Sequence, residues 1–247
     1  MTPEPMNIAL SELDEMRFGC RTAKASHVTA ETLPDALAFC RRQHAHLLIA
    51  RCSASDVQTA QAMERAGCLL MDTLVYYARK LEATALPADG DRVPIRLMRA
   101  GEEDAIVAVA ADAFRDYPFS HYHADARLNR ADCDAVYTSW THALCLSRDD
   151  TSEVLVADAD GDVLGFATMR LNNPREGEGV LFGVAPAAQG LGIYTSFMLH
   201  GMQWCQEKGA SRMVVSTQIG NLAVQRVWTR LGFTPDSAYY TFHKWFD

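Results

Sequence analysis

A glycine loop between an apolar run and a helical pattern constrains this chain more than any other feature. The apolar run spans 180–184, the loop carries Gln189-Gly190-Leu191-Gly192, and a helical pattern follows over 195–207. Glycines let backbone N–H groups approach a ligand, and the N-terminus of a helix adds partial positive charge. The segment therefore predicts a strand–loop–helix unit that binds a phosphate group.

Composition limits what this loop can serve. The chain has 247 residues, 49% of them apolar, which is enough for one large or two small domains with real cores. A net charge of −8 argues against a general nucleic-acid or membrane-surface binder. Seven scattered cysteines are typical of free thiols in a cytosolic protein, and the first residues carry no signal-peptide pattern. We expect a cytoplasmic protein without a metal site.

The pattern of apolar residues divides the chain at 83–93, a Pro-, Gly- and Asp-rich segment typical of a linker. We expect a smaller module over 1–82 and a larger one over 94–247. Helices are predicted over 35–44, 57–66, 102–114, 132–147, 195–207 and 222–231, and strands over 46–51, 73–79, 95–99, 153–157, 163–171, 180–184, 212–217 and 237–245. This order predicts an α/β (α+β) fold, a mixed sheet covered by helices.

An internal repeat links the two parts. Arg65 and Gly67 at the end of one predicted helix correspond to Arg230 and Gly232 at the end of another, and a Tyr-Tyr pair follows in both. Either two helix–glycine–strand units are alike by chance, or the first part is a degenerate copy of the second. The first part lacks the glycine loop. We therefore expect it to have a supporting or dimerising role.

Three motifs of the second part occur in a fixed order. They are Pro186-x-x-Gln189-Gly190-x-Gly192-Ile193, then Asn221-Leu-Ala223 at a helix start, then Leu231-Gly232-Phe233 at its end. Together they resemble the Gcn5-related N-acetyltransferase (GNAT) superfamily. The resemblance implies a GNAT-type mixed sheet, preceded here by a truncated GNAT-like half-module, and an acyltransferase that uses acetyl-CoA.

Shorter matches run along the chain. They are Leu13-Asp14-x-x-x-Phe18-Gly19, Phe119-Ser120-His121-Tyr122-His123-x-Asp125, Tyr137-x-x-Trp140 and Thr217-Gln218-x-Gly220-Asn221. They resemble the dTDP-fucosamine acetyltransferase group, which implies acetylation of the amine of a nucleotide-linked amino sugar. An amino acid, a polyamine or an antibiotic are alternative acceptors, and a catalytically inactive acyl-CoA-binding module is a further alternative. The expected partners are a small-molecule amine and, as a homodimer, a second copy of the chain.

The resemblance also assigns residues to the acyl donor. Backbone groups of Phe182 and Val184 would pair with the amides of pantetheine. The side chain of Asn221 would bind the same arm, cap its own helix, or do both. The pyrophosphate would lie on the N–H groups of Gln189, Gly190, Leu191, Gly192, Ile193 and Tyr194.

The proton donor is less evident, because many relatives carry a tyrosine where Trp228 stands. An indole N–H can donate a hydrogen bond, but it cannot release a proton at useful pH. Tyr239, Tyr240 or Tyr194 are candidate acids instead. Alternatively, the thiolate leaves unaided, since a thiol pKa of about 8.5 makes it a fair leaving group. A third alternative is a different acyl donor.

The general base is also open. Glu178 is a candidate, although a lone glutamate between glycines is more typical of a solvated turn. His121 and His123 lie in a predicted substrate loop, where each could be a base, a sugar contact or a packing residue. Tyr122 in the same loop is favoured as a substrate contact.

Overall fold

The structure is a computed structural model that describes residues 5–81 and 93–246. The predicted linker at 83–93 lies outside the described residues apart from Val93. The division into 1–82 and 94–247 therefore stays a prediction.

Residues 5–81 alternate strands and helices. The elements are β1 Asn7–Leu10, α1 Glu12–Phe18, β2 Thr22–Ser26, α2 Leu33–Arg42, β3 Leu47–Ser53, α3 Val57–Arg65 and β4 Leu69–Lys80. Residues 93–246 continue with β5 Ile95–Leu97, α4 Glu103–Ala113, α5 His121–Ala124, α6 Arg130–Leu146, β6 Ser152–Ala159, β7 Asp162–Asn173, β8 Glu176–Val184, α7 Ile193–Glu207, β9 Arg212–Gln218, α8 Leu222–Arg230 and β10 Thr234–Trp245. A 3-10 turn, Pro186–Ala188, precedes α7.

The strands form one mixed sheet of ten within the described residues, in the order β1-β2-β3-β10-β4-β9-β8-β7-β6-β5. Helices pack on both of its faces, because strand residues alternate between them. On β6, Val154 and Val156 join the core under α4 and α6, whereas Leu155 and Ala157 join the core under α7. The predicted mixed sheet flanked by helices is confirmed.

Most of the predicted elements are present, with differences at the ends. The sequence patterns predict neither β1, α1 and β2 nor the short α5, and they begin β8 at residue 180 instead of Glu176. All seven cysteines are free thiols, and six of them are buried. Across 5–81 and 93–246, no helix combines the length and the apolar character that a membrane span requires.

The internal repeat is built into the sheet. The elements β3, α3 and β4 recur as β9, α8 and β10 with a constant spacing of 165 residues. We call β3–α3–β4 the first copy and β9–α8–β10 the second copy. At the centre of the sheet, Leu74 of β4 faces Tyr239 of β10, its own equivalent 165 positions later. A pseudo-twofold axis therefore passes between these two strands.

The last strand of each copy pairs with the first strand of the other copy. β10 pairs with β3 of the first copy, and β4 pairs with β9 of the second copy. The equivalent pairs have the same register, Tyr239 opposite Ser53 and Leu74 opposite Gln218. This regularity favours true duplication over a chance likeness of two helix–strand units.

Candidate active site

The centre of the sheet opens where β8 and β9 separate. They pair in parallel only between 176–179 of β8 and 212–215 of β9. Beyond this point β8 continues to Val184 with β7 as its neighbour, and a register shift opposite Thr168 and Met169 marks the departure. One edge of residues 180–184 therefore faces a gap in place of a strand.

Main-chain groups of Phe182 and Val184 are directed into this gap. The N–H of Leu181 donates to Thr168 Oγ1 at 3.0 Å, and the N–H of Ala185 donates to Leu164 O at 2.9 Å, both on β7. Because the N–H groups of a strand alternate between its two edges, those of Phe182 and Val184 face away from β7. They can pair with an extended ligand that carries amides, as an added strand would.

The loop after β8 presents the N-terminus of α7. Gly190 and Gly192 have φ values of 83° and 86°, the left-handed region that glycine adopts without strain. Gly192 is the N-cap of α7 and supplies no side chain to cap it, so the first N–H groups of α7 are available to an anion. Gln189 and Leu191 are exposed, whereas Ile193 is buried and anchors the helix.

A cavity of about 660 Å³ occupies the space beside the gap and reaches into the first part of the chain. The predicted site residues among its lining are His121, Tyr122, Glu178, Phe182, Tyr194, Asn221 and Trp228. The cavity thus brings together candidates from α5, β8, α7 and α8, which are far apart in the sequence.

Of the predicted donor residues, Val184 and the loop 189–193 are not part of the cavity lining, and three predicted catalytic or substrate residues also lie outside it. His123 points to α6, where its Nε2 lies 2.9 Å from Asp134 Oδ1. The ring of Tyr239 packs edge-on against Tyr76, with 5.7 Å between centroids. Tyr240 packs with the apolar cluster under α2 and α3. A substrate contact by His123 and a proton transfer from Tyr239 or Tyr240 have no support from this geometry, because α5 directs His123 to α6 and both tyrosines of β10 are in packing contacts outside the cavity.

Tyr194 and Trp228 form a hydrogen-bonded pair in the cavity wall. Trp228 is 2% exposed, and its Nε1 donates to Tyr194 Oη at 3.0 Å. Burial raises the pKa of Tyr194 well above its ordinary value, so the phenol stays protonated. Since the indole already donates to Oη, the proton of Tyr194 is left for an acceptor in the cavity.

Asn221 stands at the N-cap position of α8 but does not cap it with its side chain. Its Nδ2 donates instead to Tyr117 Oη at 3.1 Å and to Thr217 Oγ1 at 3.2 Å. The alternative of a helix-capping side chain is therefore wrong. Both Nδ2 protons are used, which leaves Oδ1 as the atom that can accept from a ligand amide.

Glu178 is a strand residue of the cavity wall, so the interpretation as a solvated turn is wrong. Its side chain is 13% exposed, and Oε2 accepts from Arg170 Nη2 at 2.6 Å. The flanking glycines serve packing: a Cβ at Gly177 would lie 2.2 Å from Cys205 Sγ, and one at Gly179 would meet the ring of Phe182.

The first part of the chain supplies a charged end of the cavity. Asp14 is 1% exposed and pairs with Lys24 Nζ at 2.5 Å. Tyr122 Oη donates to Asp14 Oδ1 and accepts from Lys24 Nζ, both at 3.1 Å. Arg51 also lines the cavity, with its Nε on Thr241 Oγ1 at 3.2 Å. Of the three charged residues from the first part of the chain, Asp14, Lys24 and Arg51, only Asp14 had a sequence signal, in the motif Leu13-Asp14-x-x-x-Phe18-Gly19.

His121 reaches the same region through a second buried histidine. Its Nδ1 lies 2.9 Å from Nε2 of His243 on β10, and Nδ1 of His243 lies 2.7 Å from Asp125 Oδ2. His243 had no sequence signal, because the exchange of β10 into the first copy brings it there.

The residues 106–233 match the acetyltransferase (GNAT) family. The chain therefore belongs to this family.

Similar proteins support the same placement. A mycothiol acetyltransferase of Sanguibacter keddieii is 33% identical over 150 residues, which cover 58% of this chain and 44% of that protein. A spore coat polysaccharide biosynthesis protein of Bacillus subtilis is 26% identical over 145 residues, covering 59% and 48%. The chain thus spans less than half the length of these relatives. A GCN5-related N-acetyltransferase from Sphaerobacter thermophilus shares the fold, with a TM-score of 0.66 at 15% identity over 97% of this chain and 76% of that one.

Proposed function

We propose that the protein transfers an acetyl group from acetyl-CoA to the amine of a nucleotide-linked amino sugar. The observation that carries the proposal is the gap between β8 and β9, with an unpaired main-chain edge on one side and the glycine loop at its end. A ligand that has amides along an extended arm and a pyrophosphate at one end matches both features. Acetyl-CoA is such a ligand.

Each part of the donor has a candidate partner. The N–H groups of Phe182 and Val184 and the Oδ1 of Asn221 suit the pantetheine amides. The N–H groups from Gly190 to Tyr194 suit the pyrophosphate, because the helix N-terminus is left uncapped by side chains.

The chemistry requires a neutral amine and a protonated leaving group. The amine nitrogen attacks the thioester carbonyl, the C–S bond breaks, and the thiolate takes a proton. Tyr194 is the residue we assign to this proton, because it lines the cavity and its hydroxyl stays protonated. Trp228 is a positioning residue, since its indole N–H orients Tyr194 and stabilises the phenolate as it forms.

The charged end of the cavity supports an anionic acceptor. The whole cavity is lined by four cationic side chains, Arg17, Lys24, Arg51 and Arg170, and by two carboxylates, Asp14 and Glu178. A local excess of cations in a chain of net charge −8 attracts a diphosphate better than a polyamine. The relative named for polysaccharide biosynthesis also fits a sugar acceptor. The homodimer and the cytoplasmic location stay predictions.

Two measurements test the proposal in turn. Calorimetric titration with CoA is expected to show binding, and mass spectrometry is expected to show one acetyl group transferred from acetyl-CoA to dTDP-fucosamine. No heat with CoA contradicts the donor. CoA binding without acetylation of the sugar contradicts the acceptor, and if no amine of a wider panel reacts, the inactive CoA-binding module is favoured.

A charge variant sharpens the acceptor test. Arg51→Gln is expected to raise KM for dTDP-fucosamine about tenfold, because a charge-assisted hydrogen bond contributes about 1.5–3 kcal/mol. The Kd for CoA should not change. Arg65→Gln is the matched control, since Arg65 lies on α3 outside the cavity and donates to Gln61 Oε1 at 3.3 Å. An equal rise of KM in both variants contradicts a role of Arg51 in binding the sugar.

A further inference from the structure

Two histidines, His243 and His121, connect the carboxylate of Asp125 to the cavity through hydrogen bonds. Asp125 Oδ2 accepts from Trp245 Nε1 at 2.9 Å and lies 2.7 Å from His243 Nδ1. His243 Nε2 lies 2.9 Å from His121 Nδ1. His243 is 1% exposed, and His121 is the member of the series that lines the cavity.

The positions of the protons follow from Asp125. Burial raises the pKa of this carboxyl, but hydrogen bonds from His243, Arg127 N–H and Trp245 outweigh burial and lower it below its ordinary value. An ionised carboxylate only accepts hydrogen bonds, so Nδ1 of His243 carries a proton. When His243 carries only this proton, its Nε2 accepts from Nδ1 of His121, and Nε2 of His121 is then unprotonated.

We propose that His121 is the general base of acetyl transfer, and that His243 and Asp125 hold its Nε2 unprotonated and receive the positive charge. The inference rests on the proposed function, since it concerns the base of that reaction. His121 is the catalytic residue, whereas His243 and Asp125 are positioning residues that act through it.

The proton balance of the step is complete. The acceptor ammonium gives one proton to Nε2 of His121, and the Nδ1 proton of His121 passes to Nε2 of His243. The neutral amine attacks and then loses its second proton to the thiolate through Tyr194, and the proton held by the histidines passes to water after product release. The positive charge therefore rests on His243, beside Asp125.

This transfer of charge avoids a positive charge on His121, where the surroundings disfavour it. Burial lowers the pKa of His121 well below its ordinary value, and His243 of β10, Arg51 of β3 and Lys24 of β2 lower it further. His121 is thus neutral and ready to accept at physiological pH, but an imidazolium at this position is disfavoured. Moving the charge one histidine away places it against a carboxylate instead of near two cations.

Glu178, the base predicted from the sequence, is less suited to this role. Its carboxylate is bound by Arg170 at 2.6 Å, which favours the charged form and opposes protonation. His121 has no carboxylate contact of its own among the described residues. Its protonation is coupled through two successive hydrogen bonds to the buried carboxylate of Asp125.

The first test needs no substrate. Long-range nitrogen–proton NMR on histidine-labelled, ligand-free protein is expected to show Nε2 of His121 unprotonated and Nδ1 of His243 protonated, with His121→Gln and His243→Gln giving the assignments. A protonated Nε2 on His121 overturns the proposal. This result is decisive even if the proposed acceptor is wrong.

The second test is kinetic, with acetyl-CoA and dTDP-fucosamine. His121→Gln is expected to lower kcat by about 10²–10⁴-fold, the usual contribution of a general base, with an unchanged Kd for CoA. The deficit should shrink at high pH, where the amine deprotonates in solution. His243→Gln is expected to lower kcat less and to shift the acid side of the pH–rate profile.

His123→Gln is the matched control, because His123 lies on the same short helix, is bonded to Asp134 and lies outside the cavity. It should retain the wild-type kcat and pH profile. Wild-type kcat in His121→Gln, or an equal loss in both variants, overturns the proposal. If CoA binds but the wild type acetylates no dTDP-fucosamine, the proposed acceptor fails and the NMR result alone decides on the relay.

Discussion

The two copies share their spacing but differ at the residue that begins the helix. In the first copy, Asp56 caps α3, and its carboxylate accepts from Thr59 N–H at 2.9 Å. In the second copy, Asn221 occupies the equivalent position, 165 residues later, and its amide turns to Tyr117 and Thr217 in the cavity wall. One position therefore stabilises a helix in one copy and builds a ligand site in the other.

The strands that precede the two copies, β2 and β8, also differ: β2 stays paired with its neighbour β3, whereas β8 separates from its neighbour β9. Beyond β2, Val28 N–H still donates to Arg51 O on β3 at 3.1 Å, so the sheet stays closed beside the first copy. Beyond Gly179, β8 leaves β9 and the sheet opens. After duplication, the strands β8 and β9 have separated and can accept the acyl donor. The equivalent strands β2 and β3 have stayed paired, and they contribute Lys24 and Arg51 to the cavity wall.

Among the variants that test this comparison, the largest expected effect comes from removing the acid Tyr194, which lies on α7 between the separated strands β8 and β9. Tyr194→Phe should lower kcat about 100-fold, at the lower end of general acid catalysis, with little change in the Kd for CoA. Tyr240→Phe is the control, since its ring packs in the apolar cluster of the first copy. Steady-state kinetics with acetyl-CoA decide between them, and equal kcat values in the two variants would falsify the assignment.

Two alanine variants test whether Asp56 stabilises a helix and Asn221 binds the acyl donor. Asp56→Ala should lower the free energy of unfolding by about 0.5–2 kcal/mol, because a cap is lost, without changing the Kd for CoA. Asn221→Ala should weaken CoA binding up to about tenfold through one lost hydrogen bond. Urea unfolding and calorimetry measure the two effects. If Asn221→Ala costs stability alone, the two positions do not differ as described.

The smallest expected effect is a pH dependence of the stability that the Asp56 cap of the first copy contributes. Hydrogen bonds from Thr59 lower the pKa of Asp56 below its ordinary 3.8. The cap's contribution is therefore full above that ordinary value and is lost as pH falls through the lowered folded value. Asp56→Asn keeps a capping oxygen but cannot titrate. The stability difference between wild type and Asp56→Asn should shrink from about pH 7 to about pH 3 in urea unfolding, and a constant difference would contradict the titration of this cap.

Much of the fold follows from local patterns, because β3, α3, β9, α8 and the glycine loop have clear apolar periods and end signals. Local sequence patterns did not predict helix packing or the order of strands in the sheet. Glu178 looks like a turn residue because glycines flank it, yet Gly177 is needed by the close approach of Cys205. That approach depends on the packing of α7, which the local sequence does not encode.

The candidate site shows the same limit. The donor loop, Asn221 and His121 have motif signals, so the sequence identifies them. Arg51, which lines the cavity, and His243, which contacts His121, have none, because the pairing of β10 with β3 is what brings them to this region. The order of strands in a sheet depends on long-range contacts, and a single sequence records these weakly.

The exchange of strands has a consequence for synthesis of the chain. β3 and β4 are separated in the sheet by β10, whose first residue, Thr234, follows Lys80 by 154 positions. Until the ribosome has released β10, both strands have unpaired edges, which are templates for aggregation. Contacts at such sequence separation also slow folding. We therefore expect the nascent first copy to depend on a chaperone and to become resistant to protease only when translation of β10 is complete.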